Sequence, residues 1–265
     1  MLKVAKWITI IIVLVYTGIC VWVYFDQEKL IFIPERLPQN HQFSFSGNFK
    51  ELNIRMNDGA KLNALLFKTE HPKGLIFYLH GNGGSLRGWG ESAEVYNALG
   101  YDVFMPDYRG YGKNQGHIGS QQQLFNDCQV MYADMAKQYP ENKIIILGYS
   151  VGTGIAAHLA SENHCQKLIL QAPYYNFTEM KNEHYPILPS FIMRYTFDTN
   201  LYLKICKAPV VVFHGDADEV INYNSSLKLK QEFKPGDTLI TLKGQGHMGI
   251  TDNPQYLAAL KGILK

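Results

Sequence analysis

The sequence predicts an α/β fold, with a mostly parallel central sheet, helices on both faces and one transmembrane helix in front. Three observations carry this expectation. Short apolar runs alternate with helical stretches along most of the chain, and buried runs separated by helices are how a parallel sheet covered on both sides reads in sequence. A hairpin signal, Asn57-Asp58-Gly59 between two strand-like runs, puts an antiparallel pair at the start. Ahead of both, WITIIIVLVYTGICVWVYF from Trp7 to Phe25 contains no charged residue.

That first run sets the expected organisation: an N-terminal membrane anchor over 1–28, an extended, Pro-punctuated connector over 29–50 beginning LIFIPERLP, and a folded domain over 51–265. The length of the run and its aromatic ends Trp7, Trp22 and Tyr24 suit a single-pass helix. No A-x-A-like cleavage site follows it, and Ile19 before Cys20 does not suit a lipoprotein signal. Lys3, Lys6 and the terminal amine on one side slightly outweigh Lys29 and Arg36 on the other, so the folded domain is expected on the exoplasmic side. Deleting residues up to about Phe25 is expected to release a soluble protein.

Composition narrows the function classes. A chain of 265 residues holds one α/β domain of ordinary size with a short appendage. With 46% hydrophobic and 18% charged residues it is a folding sequence, and a net charge of +2 makes no electrostatic case for nucleic acid. Cys20, Cys128, Cys165 and Cys206 form no CxxC pair, so neither a zinc site nor a disulfide scaffold is expected.

The elements follow in order. LNIRMNDGAKLNALLF is the hairpin, GLIFYLHGNGG a strand and loop, and WGESAEVYNALG a helical stretch. YDVFMPDYRGYG is the next strand, then a helix near Leu124 to Gln138, the strand KIIILGYS and the helix VGTGIAAHLASE. KLILQAP, an aromatic insertion from about 174 to 205, PVVVFHGDADEV, a helix around Leu227, DTLITLKGQGH and a helix from about Pro254 complete the chain. Ligands of such sheets bind at the carboxyl ends of the strands. Four loops that directly follow predicted strands therefore gather at one edge: His80 to Gly84, Gly148 to Gly152, His214 to Asp218, and Gly246-His247.

In the second of these, a serine stands where a buried strand turns sharply into a helix. GYSVG resembles the G-x-S-x-G nucleophile elbow of the α/β-hydrolase family, and the order Ser150, an acid in HGDADEV, then His247 in GQGHMG matches that family's Ser, Asp, His order. The resemblance runs from about Leu52 to the C-terminus and takes in HGNGGS and DYRGYG. With its N-terminal helix the chain is most similar to the membrane-anchored serine hydrolases of that fold. Asn114 departs from the serine that many relatives carry there.

A serine hydroxyl needs a base to take its proton and a carboxylate to orient that base. His247, after the last predicted strand and near glycines, is the expected base. His80 and His214 also follow strands, but the resemblance gives the histidines of such HG motifs a structural role. The family register H-G-x-x-D selects Asp218 as the acid, with Asp216 the rival. The resemblance implies an oxyanion hole from the backbone N–H groups of Val151 and Asn82. No calcium-loop spacing or P-loop register is present, so no metal and no cofactor is expected.

The insertion occupies the place of the family's cap. Its aromatic composition suggests an acyl pocket, with Phe191 and Tyr195 as candidate lining residues, although residues that merely close the core have the same composition. The leading expectation is a membrane-anchored serine hydrolase of carboxylic esters or thioesters on acyl or lipid-like small molecules, whether carboxylesterase, lipase or acyl thioesterase. A serine peptidase or aminopeptidase would use the same three residues. A non-catalytic hydrolase-like binding protein would be expected to have lost one of them, and all three are present.

Overall fold

A computed structural model describes residues 1–264. After an N-terminal helix, Leu2–Ile31, the strands in chain order are β1 Ile33–Pro34, β2 Asn48–Arg55, β3 Lys61–Lys68, β4 Leu75–Leu79, β5 Gly83–Gly84, β6 Asp102–Pro106, β7 Ile144–Tyr149, β8 Lys167–Gln171, β9 Val210–Gly215 and β10 Thr238–Leu242. Eight of these form one sheet in the order β10-β9-β8-β7-β4-β6-β3-β2, and β1 pairs with β5 apart from it.

The hairpin forms where Asn57-Asp58-Gly59 marks it: β2 and β3 pair antiparallel, and Gly59 takes a φ of +88° to reverse the chain. β3 meets β6 antiparallel, whereas the pairings from β6 through β4, β7, β8, β9 and β10 are all parallel. The apolar runs of β4 and β7 are buried along their whole length because helices cover both sides. Leu75, Phe77 and Leu79 point to one core with Leu159 and Met131, while Ile76 and Tyr78 point to the other with Tyr256 and Leu260. Burial of each large side chain contributes about 1.5–3 kcal/mol, so the sheet is a rigid platform for whatever its loops carry.

The N-terminal helix is long and apolar enough to cross a membrane, and 6% of its most apolar window is buried. It runs through Ile31, past the expected boundary at 28, with a non-helical residue at Asp26, one position after the uncharged run ends. The following segment is not a free linker. β1 lies parallel to β5, Arg36 bridges Gly112, and Ser85 donates to Glu35 at 2.7 Å. Phe45 packs edge-on against Phe49 and Phe67, and β2 begins at Asn48. The extended connector read from its prolines is thus laid along the folded domain by pairing and aromatic contact.

The insertion contains a helix Phe177–His184, a 3-10 turn Ser190–Ile192 and a helix Thr199–Ile205. Leu203 and Phe197 belong to the main core. The second half of the insertion closes the core and the first half rises over the sheet edge.

Candidate active site

The site is built at the carboxyl ends of β4, β7, β9 and β10. Ser150 follows β7 in the left-handed region, φ 52°, a conformation that a non-glycine residue holds only when its surroundings impose it. Backbone hydrogen bonds on both sides of the residue do so. The Ser150 N–H donates to Gln171 at the end of β8, and its carbonyl accepts from Thr153 to start the helix Gly152–Glu162. A Cβ on Gly148 would run into the Gly152 carbonyl oxygen, and one on Gly152 into that of Leu79. Both glycines of GYSVG are therefore required by close main-chain approach.

The Ser150 hydroxyl lies 3.0 Å from His247 Nε2, and His247 Nδ1 lies 2.8 Å from Asp218 Oδ2. A carboxylate only accepts, so Nδ1 carries the hydrogen and Nε2 is left to accept from Ser150. Asp218 Oδ1 accepts from the N–H groups of Val220 and Ile221 at 2.9 and 2.8 Å. Burial pushes the Asp218 carboxyl up, but bonds to His214 and His247 outweigh it and hold the group well below the usual carboxylate range. Asp216, the sequence rival, turns to the surface, where it pairs with Lys243 at 2.9 Å and accepts from the Gly244 N–H at 2.7 Å.

The other strand-end histidines are occupied. His214 Nε2 donates to Ile221 O at 3.0 Å and lies 3.2 Å from Asp218, while Nδ1 contacts Ser226 at 2.6 Å. His80 Nδ1 contacts its own loop at Gly81 O, 2.8 Å away, and Nε2 faces Asp107 at 3.3 Å. Asn114 holds the same region: it accepts from Asn63 N–H at 2.7 Å and donates to Asp107 O at 2.7 Å. Glu219, to which the sequence assigned no role, accepts the His247 N–H at 3.1 Å. Its place in the acidic cluster HGDADEV was the only signal.

Asn82 and Val151 flank Ser150, and among the described residues no hydrogen bond takes up either backbone N–H. The Asn82 carbonyl is fixed instead, by Tyr111 OH at 2.6 Å and by the Ile33 N–H at 2.9 Å. Above them opens a mainly apolar cleft of about 900 Å³, with Ser150 and His247 at its base. The insertion supplies one wall, including Phe177, Met180, Ile187 and Leu188. The N-terminal helix supplies another, including Ile19, Trp22, Val23 and Ile31.

Phe191 and Tyr195 are not in that lining. Phe191 is 87% exposed on the short turn at the tip of the insertion. Tyr195 is fully buried in the core, its ring 5.6 Å from Phe32 and 5.9 Å from Phe197, with its hydroxyl donating to Ile118 O. The pocket expectation for these two is corrected: one points outward from a turn and the other seals the core.

Among known proteins, the family model described as serine aminopeptidase S33 (Hydrolase_4) matches residues 70–197, which include the Ser150 turn and stop short of Asp218 and His247. An uncharacterized protein of Mycobacterium tuberculosis is 27% identical over 246 residues, covering 89% of this chain and 86% of the relative. A lysophosphatidylserine lipase of Danio rerio is 30% identical over 188 residues, 62% of this chain, which spans about half (47%) of the lipase. An esterase of Pyrococcus furiosus superposes with a TM-score of 0.70 at 19% identity, covering 88% of this chain and 97% of the esterase. The sheet order, the four strand-end loops and the superposition on the esterase together show that the chain has the α/β-hydrolase fold.

Proposed function

We propose that the chain is a membrane-anchored serine hydrolase that cleaves carboxylic ester or thioester bonds of acyl-chain substrates through an acyl-enzyme on Ser150. The observation that carries this reading is the hydrogen-bonded line from Ser150 through His247 to Asp218 at the base of an apolar cleft. In this reading the Ser150 oxygen attacks the substrate carbonyl carbon while its proton passes to His247 Nε2. The developing oxyanion accepts from the N–H groups of Asn82 and Val151. The imidazolium, held by ionised Asp218, then protonates the leaving group, and water repeats the sequence to release the acid.

The cleft favours an acyl group over a peptide with a free amino terminus. Holding an ammonium group in a partly buried site calls for a carboxylate, and among the described residues no Asp or Glu lines the cleft. The lipase among the relatives is named for a lipid with a single acyl chain, which agrees with that reading. The test is labelling by a fluorophosphonate, followed by rates on matched ester, thioester and aminoacyl substrates. Labelling at Ser150 with ester or thioester turnover is the expected result, and faster cleavage of unblocked peptides would replace it with the aminopeptidase reading.

A further inference from the structure

One wall of the cleft belongs to the helix expected to cross the membrane. Val23, Leu30 and Ile31 line it together with Gln27, at spacings of three and four residues that put them on one helix face. Gln27 fixes that face. Its carboxamide is buried, its oxygen accepts from the N–H groups of Arg194 and Tyr195 at 2.8 and 3.0 Å, and its nitrogen donates to Ile192 O at 3.3 Å. Both ends of the side chain are thus spent on the insertion, and the rotation of the helix against it is set.

Depth follows from helix geometry. The uncharged run ends at Phe25, so at about 1.5 Å per residue Ile19 lies about 9 Å and Tyr16 about 14 Å inside that end. Tyr16 OH donates to Ile187 O at 2.6 Å, which places the tip of the insertion beside the apolar run rather than beyond it. The tip carries Tyr185, Ile187 and Phe191, all largely exposed, and the adjoining helix surface is apolar and exposed as well. Apolar surface displayed on both elements at one level suits contact with hydrocarbon, and Phe191 finds its place there.

We propose that the stretch from Ile19 to Ile31 is the acyl-binding wall of the site, and that a single acyl chain reaches Ser150 directly from the bilayer, between this helix and the insertion. The proposal rests on the serine-hydrolase reading. A chain taking this route exchanges lipid contacts for the apolar side chains of the cleft and is never transferred through water. The helix then acts as anchor and as part of the binding site, and its side chains set which chain lengths fit.

The test uses full-length protein in phosphatidylcholine nanodiscs and two alkyl fluorophosphonates, four and twelve carbons long, each with a diazirine at the chain end. Reaction forms the Ser150 oxygen–phosphorus bond and breaks the phosphorus–fluorine bond, the serine proton leaving through His247 and fluoride departing. Illumination then records where the chain lies. The twelve-carbon probe should crosslink to peptides within 19–31, the crosslink should vanish in Ser150→Ala, and Val23→Trp should slow labelling by the longer probe at least tenfold relative to the shorter. Labelling at Ser150 with crosslinks confined to the insertion or the sheet, or helix crosslinks that persist in Ser150→Ala, would overturn the wall but leave the hydrolase reading standing. Absence of labelling by both probes would overturn the hydrolase reading and the wall with it.

Discussion

The N–H of Ile33 donates to the carbonyl oxygen of Asn82 at 2.9 Å. The strand that leaves the N-terminal helix, β1, therefore holds the loop whose N–H is the proposed oxyanion donor, its two residues pairing in parallel with Gly83 and Gly84 of β5. Replacing Ile33 by Pro removes this donor without shortening the chain. Losing an oxyanion donor outright costs about 10²–10³ in kcat. A donor that is loosened rather than lost should cost about tenfold, on short and long esters alike and with little change in KM. Steady-state kinetics across chain lengths check this, and a defect restricted to long chains would mean that the contact serves the cleft instead.

The backbone of Ser150 allows a test that separates function from stability. At φ 52° a side chain is strained and glycine is not. Ser150→Gly and Ser150→Ala should both abolish fluorophosphonate labelling, since neither has a nucleophile. Glycine usually lowers stability relative to alanine by about 0.5–1 kcal/mol, yet here the left-handed penalty of about 1–2 kcal/mol on alanine reverses the order. The glycine variant should be the more stable of the two by up to about 1 kcal/mol in denaturant unfolding. Alanine proving more stable would show that the turn relaxes once the hydroxyl is gone.

Asp218 and Asp216 are two residues apart, but only Asp218 meets His247. Asp218→Asn should lower kcat by several orders of magnitude, because the amide disturbs the tautomer that leaves Nε2 free to accept, whereas Asp216→Asn should change it by less than about threefold, the scatter of a surface substitution of about 0.5 kcal/mol. The folded pKa of Asp218 is depressed, so its ionisation stabilises the fold above the unfolded value of about 3.9 and that contribution is lost as pH falls toward the folded value. The stability gap between wild type and Asp218→Asn should thus be constant near neutrality and narrow below about pH 4. A gap that closes already between pH 8 and 6 would assign it to a different group.

The strand-end loops were legible because parallel strands that are apolar throughout are followed at once by glycine, serine and histidine, a contrast that survives in sequence. The register H-G-x-x-D distinguished Asp218 from Asp216. What stayed hidden depends on tertiary packing. Phe191 and Tyr195 stand four residues apart in an aromatic segment, and nothing in composition separates a ring that faces outward from one that seals the core. Gln27 stands second in the polar stretch that begins at Asp26 after the uncharged run, and its three bonds run to residues more than 160 positions away. β1 is two residues long and contains proline, too short for any periodicity. Removal of residues up to Phe25 would also take Ile19, Trp22 and Val23 out of the cleft, a contribution that the uncharged run does not announce in sequence.

The two glycine-rich loops beside Ser150 look alike in sequence but tolerate change differently. A Cβ on Gly148 would collide with the Gly152 carbonyl and come within 2.7 Å of Ala156 Cβ, while a Cβ on Gly83 would meet nothing within 4 Å. Gly148 joins a buried strand to the helix that follows Ser150, and neither element can retreat without opening the core on that face of the sheet. Gly148→Ala should therefore destabilise by about 1–3 kcal/mol, the usual penalty of overpacking. It should also slow fluorophosphonate labelling sharply, because the strain is relieved by moving the turn that aims the hydroxyl at His247. Gly83 has no positive φ to lose, so Gly83→Ala should be neutral or stabilise by up to about 1 kcal/mol through the unfolded state. Thermal unfolding in detergent, read beside labelling rates, compares the pair, and equal stability of the two variants would show that the turn after β7 is less tightly packed than its contacts indicate.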